Sequence, residues 1–337
     1  MKLTSFNEDD LIANVILLLE NGRNAVLTQT NTIMTLTYFE IGKYIVEFEQ
    51  QGKNRAEYAK KVLKNLSEKL TEKFGKGFTT RNLEYMRKFY LTYEKTKSLI
   101  SQLPNEIFTL SWTHYLLLMR IANESERGFY EIEAHKQRWS VRELERQFNS
   151  SLYERLVLSK NKESILALSK EGQIIEKPED LIKEPYILEF LGLDEKSEFA
   201  ESELENAIIN KIEKFMLELG KGFLFESRQK RITFDEDHYY IDLVLYNRIL
   251  RCFVLIDLKI GKLKHQDLGQ MQMYVNYYDR FVKLEDENPT IGIVLCKDKS
   301  NALVEITLPK DNNQIFATKY QLYLPDKEEL KRQIENM

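Results

Sequence analysis

Two apolar, strand-like runs that contain charged residues constrain the fold of this chain more than any other feature. Residues 239–246 (YYIDLVLY) and 251–260 (RCFVLIDLKI) are short, rich in β-branched and aromatic residues, and separated by a polar break. Asp242 interrupts the first run, and Asp257 and Lys259 interrupt the second. Because burying such charges costs several kcal/mol unless they are paired or bound to an ion, the sequence predicts a site where they meet.

The length of the turn between the runs decides whether the charges meet. Strand periodicity puts both charges of the second run on one face. A two-residue turn would place Asp242 opposite Phe253, too far from Asp257. A four-residue turn at 247–250 would place it opposite Leu255, diagonal to Asp257, and this is the turn we expect.

Two explanations for this charge cluster are open. The first is a buried salt bridge between Lys259 and either aspartate. The second is a divalent cation held by both carboxylates. Two carboxylates with one ammonium leave a surplus negative charge, so we favour the cation.

Composition limits the remaining possibilities. The chain has 337 residues, of which 43% are hydrophobic and 30% are charged, which is typical of a globular protein with room for two domains. Because the net charge is −4, any basic surface that binds nucleic acid must be confined to one part of the protein. No run approaches the ~20 apolar residues of a membrane span, and the N-terminus lacks a signal-peptide pattern. The cysteines, Cys252 and Cys296, lie in apolar runs and are expected to be reduced core residues of a cytoplasmic protein.

The N-terminal part, residues 1–158, has helical periodicity and is predicted to form one all-α domain. A glycine-containing turn at 74–78, followed by Thr79 as an N-cap, gives the outline of a helix-turn-helix. Residues 57–97 contain eleven Lys and Arg against five Glu, which suits either phosphate contact or a solvated surface. The candidate nucleic-acid-binding residues of the second helix are Arg81, Asn82, Arg87 and Lys88.

A charged connector is predicted at 159–198, followed by a second domain at 199–337. In that domain Glu205 lies beside the apolar stripe of the first helix. The expected elements are a helix at 201–219, a strand near 223–233, the two charged strands, a helix at 266–282, strands at 290–296, 302–308 and 315–324, and a helix at 326–335.

This order of elements, with Asp242 followed by Asp257-Leu258-Lys259, resembles the PD-(D/E)XK nuclease superfamily. Gln270 and Tyr274 match the Q-x-x-x-Y helix of several of its branches. The string IDLKIGKLKHQDLGQMQMYVNYYD resembles the YhcG-like group, and FGKGFTTRNLEYMRKFY and RWSVRELERQFNSSLYERL resemble its helical domain. The resemblance implies a restriction-endonuclease-like α/β (α+β) domain with an αβββαβ core, preceded by an all-α, helix-turn-helix-like domain.

The resemblance also implies hydrolysis of phosphodiester bonds with a divalent metal, usually Mg²⁺, with Mn²⁺ as an alternative. Lys259 would orient the attacking water or stabilise the transition state. Gln270 and Tyr274 would orient Lys259 or the nucleic-acid backbone, although an aromatic residue at this spacing also suits a core. Glu205 has the open alternative of a solvated position at the helix edge. The implied metal ligands are Asp242, Asp257, the Leu258 carbonyl and Glu205.

Further candidates flank these motifs. Lys262, Lys264 and His265 follow the second charged strand and are expected to contact phosphates, with Arg228 and Gln229 as weaker candidates. Ile241 replaces the superfamily's proline, which weakens the motif without excluding activity.

The expected partner is a nucleic acid, with DNA preferred, although the residues do not separate a DNase from an RNase. The protein is expected to act as a homodimer, without a membrane partner, in genome defence, restriction or repair. The competing hypothesis is a non-catalytic nucleic-acid-binding or assembly protein that uses the nuclease fold as a platform.

Overall fold

The computed structural model of this protein contains two compact units, Met1–Leu144 and Glu145–Met337. The predicted domain boundaries at 158 and 198 stay a prediction. Residues 159–167 and 194–198 of the expected connector lie outside the part that the structure describes. None of the described helices is both long and apolar enough to cross a bilayer. The structure describes residues 8–51, 56–97, 108–158, 168–193, 199–234 and 236–335.

The first unit is helical, as the periodicity predicted. Its helices are α1 (Glu8–Gln51), α2 (Ala56–Phe74), α3 (Thr80–Lys97), α4 (Trp112–Leu118) and α5 (Glu124–Lys136), and α6 (Val141–Asn149) spans the boundary. Helices α1 and α3 approach closely at Gly42, where a Cβ atom would overlap the backbone carbonyl of Met86. The ring of Phe89 lies at the centre of an aromatic core and contacts Phe39, Tyr93, Phe108, Trp112 and Tyr115.

The connection between α2 and α3 forms the expected glycine turn. Gly75 and Gly77 have φ angles of +82° and +117°, a conformation that side chains disfavour. Thr79 Oγ1 accepts a hydrogen bond from the Asn82 N–H at 3.3 Å, which confirms the predicted N-cap.

The second unit contains a six-stranded mixed sheet. Its strands are β1 (Tyr186–Ile187), β2 (Phe223–Phe234), β3 (Asp237–Asn247), β4 (Cys252–Lys262), β5 (Ile291–Asp298) and β6 (Ile315–Gln321). The spatial order is β1-β6-β5-β4-β3-β2. Strands β2, β3 and β4 pair antiparallel, and the remaining pairs are parallel. Strand β1 comes from the predicted connector, which therefore contributes to the sheet.

The helices of this unit confirm the predicted αβββαβ core. They are α7 (Leu152–Leu158), α8 (Glu201–Asn210), α9 (Ile212–Leu219), α10 (His265–Phe281), α11 (Asn301–Thr307) and α12 (Lys327–Glu335). Helices α8 and α9 precede the antiparallel strands, and α10 connects β4 to β5. Leu243, Val254 and Ile256 belong to the core that contains residues of α8 and α9, whereas Val244 and Leu255 belong to the core with α10. Both charged strands are therefore covered on two faces.

Two predicted elements were wrong. The segment 302–308 is helical rather than a strand, because Val304 and Leu308, one helical turn apart, are the residues that pack on the core. The single helix expected at 201–219 is two helices. It breaks at Lys211, whose Nζ donates hydrogen bonds to the carbonyls of Phe190 and Leu191 at 2.6 and 3.0 Å.

The prediction that both cysteines are reduced residues of the core is confirmed. Cys252 and Cys296 are both buried and neither forms a disulfide.

Within the second unit, a buried carboxylate on α9 holds residues of α6 and α7 in place. Glu218 is fully buried, and its Oε1 accepts hydrogen bonds from Arg155 Nη1 at 2.7 Å and from the Ile187 N–H at 2.9 Å. Its Oε2 accepts one from Arg146 Nη2 at 3.3 Å, and Lys183 donates to its backbone carbonyl. Burial raises the pKa of Glu218, but the neighbouring cations outweigh it and lower that pKa to about 2. The carboxylate is therefore stabilised in its charged form.

Replacing Glu218 with Gln should lower the free energy of unfolding at neutral pH by about 3–5 kcal/mol, because buried cations would lose their counter-charge. The wild-type contribution is complete above pH 4.5, the ordinary pKa of Glu, and is lost as the pH falls towards about 2. Urea unfolding followed by circular dichroism at several pH values would measure both effects. Glu213→Gln, on the exposed side of α9, is the control and should change little; an equal loss in both variants would contradict this account.

Candidate active site

The turn between β3 and β4 has the predicted length but not the predicted position. Asn247 pairs with Cys252, so the loop is residues 248–251. The Asn247 Oδ1 accepts hydrogen bonds from the next two free N–H groups, at Ile249 and Leu250. This side-chain turn keeps Asn247 in the strand and moves the loop one residue later than expected.

That shift places the two aspartates directly opposite each other in the strand register. The last pair of the β3–β4 ladder is Leu243 with Ile256, and continuing the register by one residue places Asp242 opposite Asp257. The expected position opposite Leu255 was therefore wrong. Asp242 and Asp257 are therefore closer together in the structure than the sequence predicted.

Asp242 lies where β3 and β4 separate. Its Oδ2 accepts a hydrogen bond from the Leu258 N–H at 2.8 Å, and its Oδ1 accepts one from Gln229 Nε2 at 3.0 Å. Burial raises the pKa of Asp242, and the Leu258 N–H, Lys259 and Gln229 oppose that rise. The carboxylate is thus held between strands in place of a ladder hydrogen bond.

Asp257 and Lys259 form a close ion pair in β4. The Lys259 Nζ lies 2.8 Å from Asp257 Oδ2, and Asp257 is only 2% exposed. Burial raises the pKa of Asp257 to about 7; Lys259 opposes that rise and Asp242 adds to it. Burial disfavours the charge on Lys259, but Asp257, Glu201 and Asp242 together raise the pKa of this lysine above its ordinary value. The salt bridge of the first explanation forms, and a second carboxylate remains beside it.

Glu205 joins the same cluster from α8. It is buried, so the alternative of a solvated helix edge was wrong. Its Oε2 accepts a hydrogen bond from Gln229 Nε2 at 2.7 Å. Burial raises its pKa, Gln229 opposes the rise, and Asp242 adds to it.

Two other residues of the cluster had received little or no weight from the sequence. Gln229 bridges Glu205 and Asp242 through one amide group, with its own backbone at a φ of +48°. Such strain in a residue other than glycine is concentrated at functional sites. Glu201, at 3.7 Å from Lys259 Nζ, was missed. A signal for it existed, because Glu201 and Glu205 are four residues apart and share a helix face.

Gln270 and Tyr274 position β3. Gln270 Nε2 donates to the Tyr274 hydroxyl at 2.6 Å, and that hydroxyl donates to the Tyr240 carbonyl at 2.8 Å. Burial raises the pKa of Tyr274 to about 12, so it stays a hydrogen-bond donor at neutral pH. Tyr240 stands two residues before Asp242, so these hydrogen bonds from Gln270 to Tyr274 and on to Tyr240 hold the backbone that carries the carboxylate. The predicted orienting role toward Lys259 or nucleic acid stays a prediction.

The cluster carries a surplus of negative charge. Four carboxyl groups face the ammonium of Lys259 and the nearby guanidinium of Arg228. The pKa values of Glu205, Asp242 and Asp257 are all raised, because burial disfavours their charged forms and each has another acid nearby. Within the described ranges, no three Asp, Glu, His or Cys side chains form a ready-made metal cage. The arrangement attracts a cation without surrounding it.

The lysines after β4 are exposed. Lys262 lies level with Asp298 in the sheet, and the Lys264 N–H caps α10 through Asp267 at 2.8 Å. His265 is exposed at the start of the same helix. Their contacts with phosphate stay a prediction.

The four candidates on α3 fall into two groups. Arg81 and Lys88 are exposed. Arg87 forms an ion pair with Glu49 at 2.7 Å, and Asn82 accepts a hydrogen bond from Trp112 Nε1 at 3.2 Å. Arg81 Nε donates a hydrogen bond to the Tyr85 hydroxyl at 3.0 Å, a contact that leaves its charge unneutralised, whereas the charge of Arg87 is paired.

Comparisons with known proteins cover nearly the whole chain. Residues 14–155 match the DUF1016 N-terminal domain, and residues 179–335 match the YhcG PDDEXK nuclease domain. The Escherichia coli (strain K12) protein named "Putative nuclease YhcG" is 38% identical over 341 residues, covering 94% of this chain and 90% of that protein. The chain belongs to the YhcG family. Membership of the YhcG family confirms the resemblance and agrees with the restriction-endonuclease-like core.

Solved structures are more distant from this YhcG family member. A repair endonuclease from Pyrococcus abyssi matches with 18% identity and a TM-score of 0.26, covering 39% of this chain and 50% of that one. The EndoMS–dsDNA2 complex matches with 16% identity and a TM-score of 0.28, covering 40% and 51%. The chain thus spans about half the length of each.

Proposed function

We propose that this protein is a divalent-metal-dependent nuclease that hydrolyses phosphodiester bonds in DNA. The observation that carries the proposal is the meeting of Asp242, Asp257 and Lys259 on neighbouring strands of a PDDEXK nuclease domain. Buried acids with raised pKa values beside a lysine are typical of functional sites. The name of the Escherichia coli relative supports the same class of reaction.

The donor set fits a hard divalent cation. Mg²⁺ needs only one or two protein carboxylates and keeps several waters, so the absence of a three-acid cage among the described residues is no obstacle. Asp242 and Asp257 would hold it, with Glu205 and the Leu258 carbonyl as further ligands, and Mn²⁺ is the alternative ion. Once bound, the ion would polarise the phosphate and lower the pKa of a bound water.

Residues of this chain would hold the reacting groups in position and stabilise the charge that develops. The Lys259 ammonium, held by Asp257, would stabilise negative charge that develops on the phosphate. Gln229 and the Leu258 N–H hold the Asp242 carboxylate in place. Tyr274 fixes the strand behind it through the Tyr240 carbonyl. Because these groups are set before substrate arrives, little reorganisation would be needed.

Metal-dependent hydrolysis needs no 2′-hydroxyl, so the same chemistry can act on DNA or RNA, and DNA is the substrate that we propose. A homodimer with two such sites could cut both strands. A cytoplasmic role in genome defence, restriction or repair would follow from that activity.

Asp257→Asn or Lys259→Ala should lower the rate of DNA cleavage with Mg²⁺ by about 100-fold or more, because each removes charge from the reacting centre. Asp311→Asn, an exposed aspartate of the same unit, is the control. Cleavage rates of labelled DNA would be compared for matched preparations. Equal cleavage by all variants would show that this cluster is not the active site.

Metal binding can be tested without activity. Millimolar MgCl₂ or MnCl₂ should raise the melting temperature of the wild-type protein, since an ion that binds only the folded state stabilises it. The double variant Asp242→Asn/Asp257→Asn should show no such rise, whereas Asp311→Asn should behave like wild type. A persistent rise in the double variant would place the ion elsewhere.

The exposed charges on α3 favour DNA contact by the helical unit, which is also the basis of the non-catalytic alternative. Replacing both Arg81 and Lys88 with Gln should weaken binding and reduce the slope of log K against log salt by about 2. Arg87→Gln should have a smaller effect, because Glu49 already neutralises that charge. Fluorescence anisotropy across a salt series would measure this. Binding without turnover under any metal would favour the non-catalytic reading.

A further inference from the structure

Strands β2 and β3 continue beyond the rest of the sheet as a two-stranded ribbon. The β3–β4 ladder ends at Leu243, whereas β2 and β3 remain paired as far as Phe234 and Asp237. One face of the ribbon is packed, with Ile232 and Ile241 buried in the core that contains residues of α10. The ribbon is therefore anchored on one side and open on the other.

The open face begins two residues along β3 from the candidate active site. Along β3, Tyr240 stands two residues before Asp242, and it lies on the face away from α10 because its neighbour Ile241 is buried in the core with that helix. Arg231 lies directly opposite Tyr240 on β2, and Thr233 lies opposite His238. We call Arg231, Thr233, His238 and Tyr240 the ribbon strip; all four are exposed.

We propose that the ribbon strip binds an unpaired DNA strand beside the scissile phosphate, with Tyr240 stacking on a base and Arg231 contacting a phosphate. This inference rests on the proposed nuclease function and names the form of its substrate. Stacking on a tyrosine needs a base with an open face, which a single strand, a flap or a frayed end offers and the interior of a duplex does not.

The charge and exposure of two residues favour this occupant. The Tyr240 side chain lies on a strand surface with the residue 46% exposed. Arg231 forms no ion pair with any residue in the described ranges, whereas Lys230 beside it lies 3.7 Å from Glu226. A guanidinium without an acid partner among the described residues, next to an exposed aromatic ring, offers the phosphate contact and the stacking surface typical of single-strand binding.

The position of the strip relative to the acids is fixed. The Tyr274 hydroxyl donates a hydrogen bond to the Tyr240 carbonyl at 2.8 Å, from a helix that packs on the other face. Two residues along a strand span about 7 Å, so Tyr240 is one side-chain step from Asp242. At the far end, Thr233 Oγ1 and His238 Nδ1 lie 3.0 Å apart, which ties the two strands together.

The test compares binding of a labelled single strand and of a blunt duplex of the same sequence, by anisotropy without added metal. Tyr240→Ala should weaken single-strand binding about 10-fold, since stacking is worth roughly 1–3 kcal/mol per base. Tyr240→Phe, which keeps the ring, should bind like wild type. Tyr323→Ala, which removes a tyrosine of similar exposure (45%) elsewhere in the same unit, should also leave binding unchanged.

The role of Arg231 is tested separately, through the salt dependence of single-strand binding. Arg231→Ala should weaken single-strand binding and reduce its salt slope by about 0.7, the value of one phosphate contact on a single strand. Arg248→Ala, at the opposite end of β3, is the matched control and should leave the slope unchanged.

A spectroscopic probe separates stacking from structural damage. A 2-aminopurine base in the single strand should lose fluorescence on binding wild type and Tyr240→Phe, but not Tyr240→Ala. The inference is overturned if Tyr240→Ala binds the single strand as wild type does, or if it weakens single strand and duplex equally. If Tyr240→Ala weakens single-strand binding but cleavage does not depend on Asp257, the proposed nuclease site is wrong and the ribbon strip is supported. If cleavage depends on Asp257 but binding does not depend on Tyr240, the nuclease site is supported and the ribbon strip is wrong.

Discussion

The hydrogen bond from the Leu258 N–H to Asp242 is the interaction on which the rest of the site depends. It occurs where β3 leaves β4, at the first position where the ladder no longer satisfies the backbone. A buried N–H without a partner would be costly, and the carboxylate supplies that partner. In return, Asp242 is held level with Asp257, so one contact satisfies the backbone and also brings the two acids together.

The surplus charge of the cluster would destabilise the fold if nothing offset it. Desolvation raises the pKa values of Asp242, Asp257 and Glu205, and the single close ammonium of Lys259 does not restore them. Glu218, in the same unit, shows the opposite case, because surrounding cations lower its pKa. Both carboxylate sites are buried, but only the first is left in need of positive charge. That difference separates a structural ion pair from a site suited to a cation and a phosphate.

Much of the second unit could be predicted from the sequence, because apolar periodicity specifies the strands and the helix that follows β4. The register could not, since it depends on Asn247 closing its own turn through its side chain. The segment 302–308 was misread because its apolar residues suit either element, and packing of Val304 and Leu308 on the core decides for a helix. Gln229 was underrated because its role comes from a strained backbone that leaves no pattern in the sequence.

The separation of β3 from β4 has a second consequence. Once β3 no longer pairs with β4, the described residues that support β3 before Asp242 are those of β2 on one edge and of α10 on one face. Tyr240, two residues before the carboxylate, and Arg231, its partner on β2, are then left exposed. A continuous ladder would instead have paired this edge of β3 with β4. The feature that frees the Asp242 carboxylate from the ladder therefore also exposes a surface beside it.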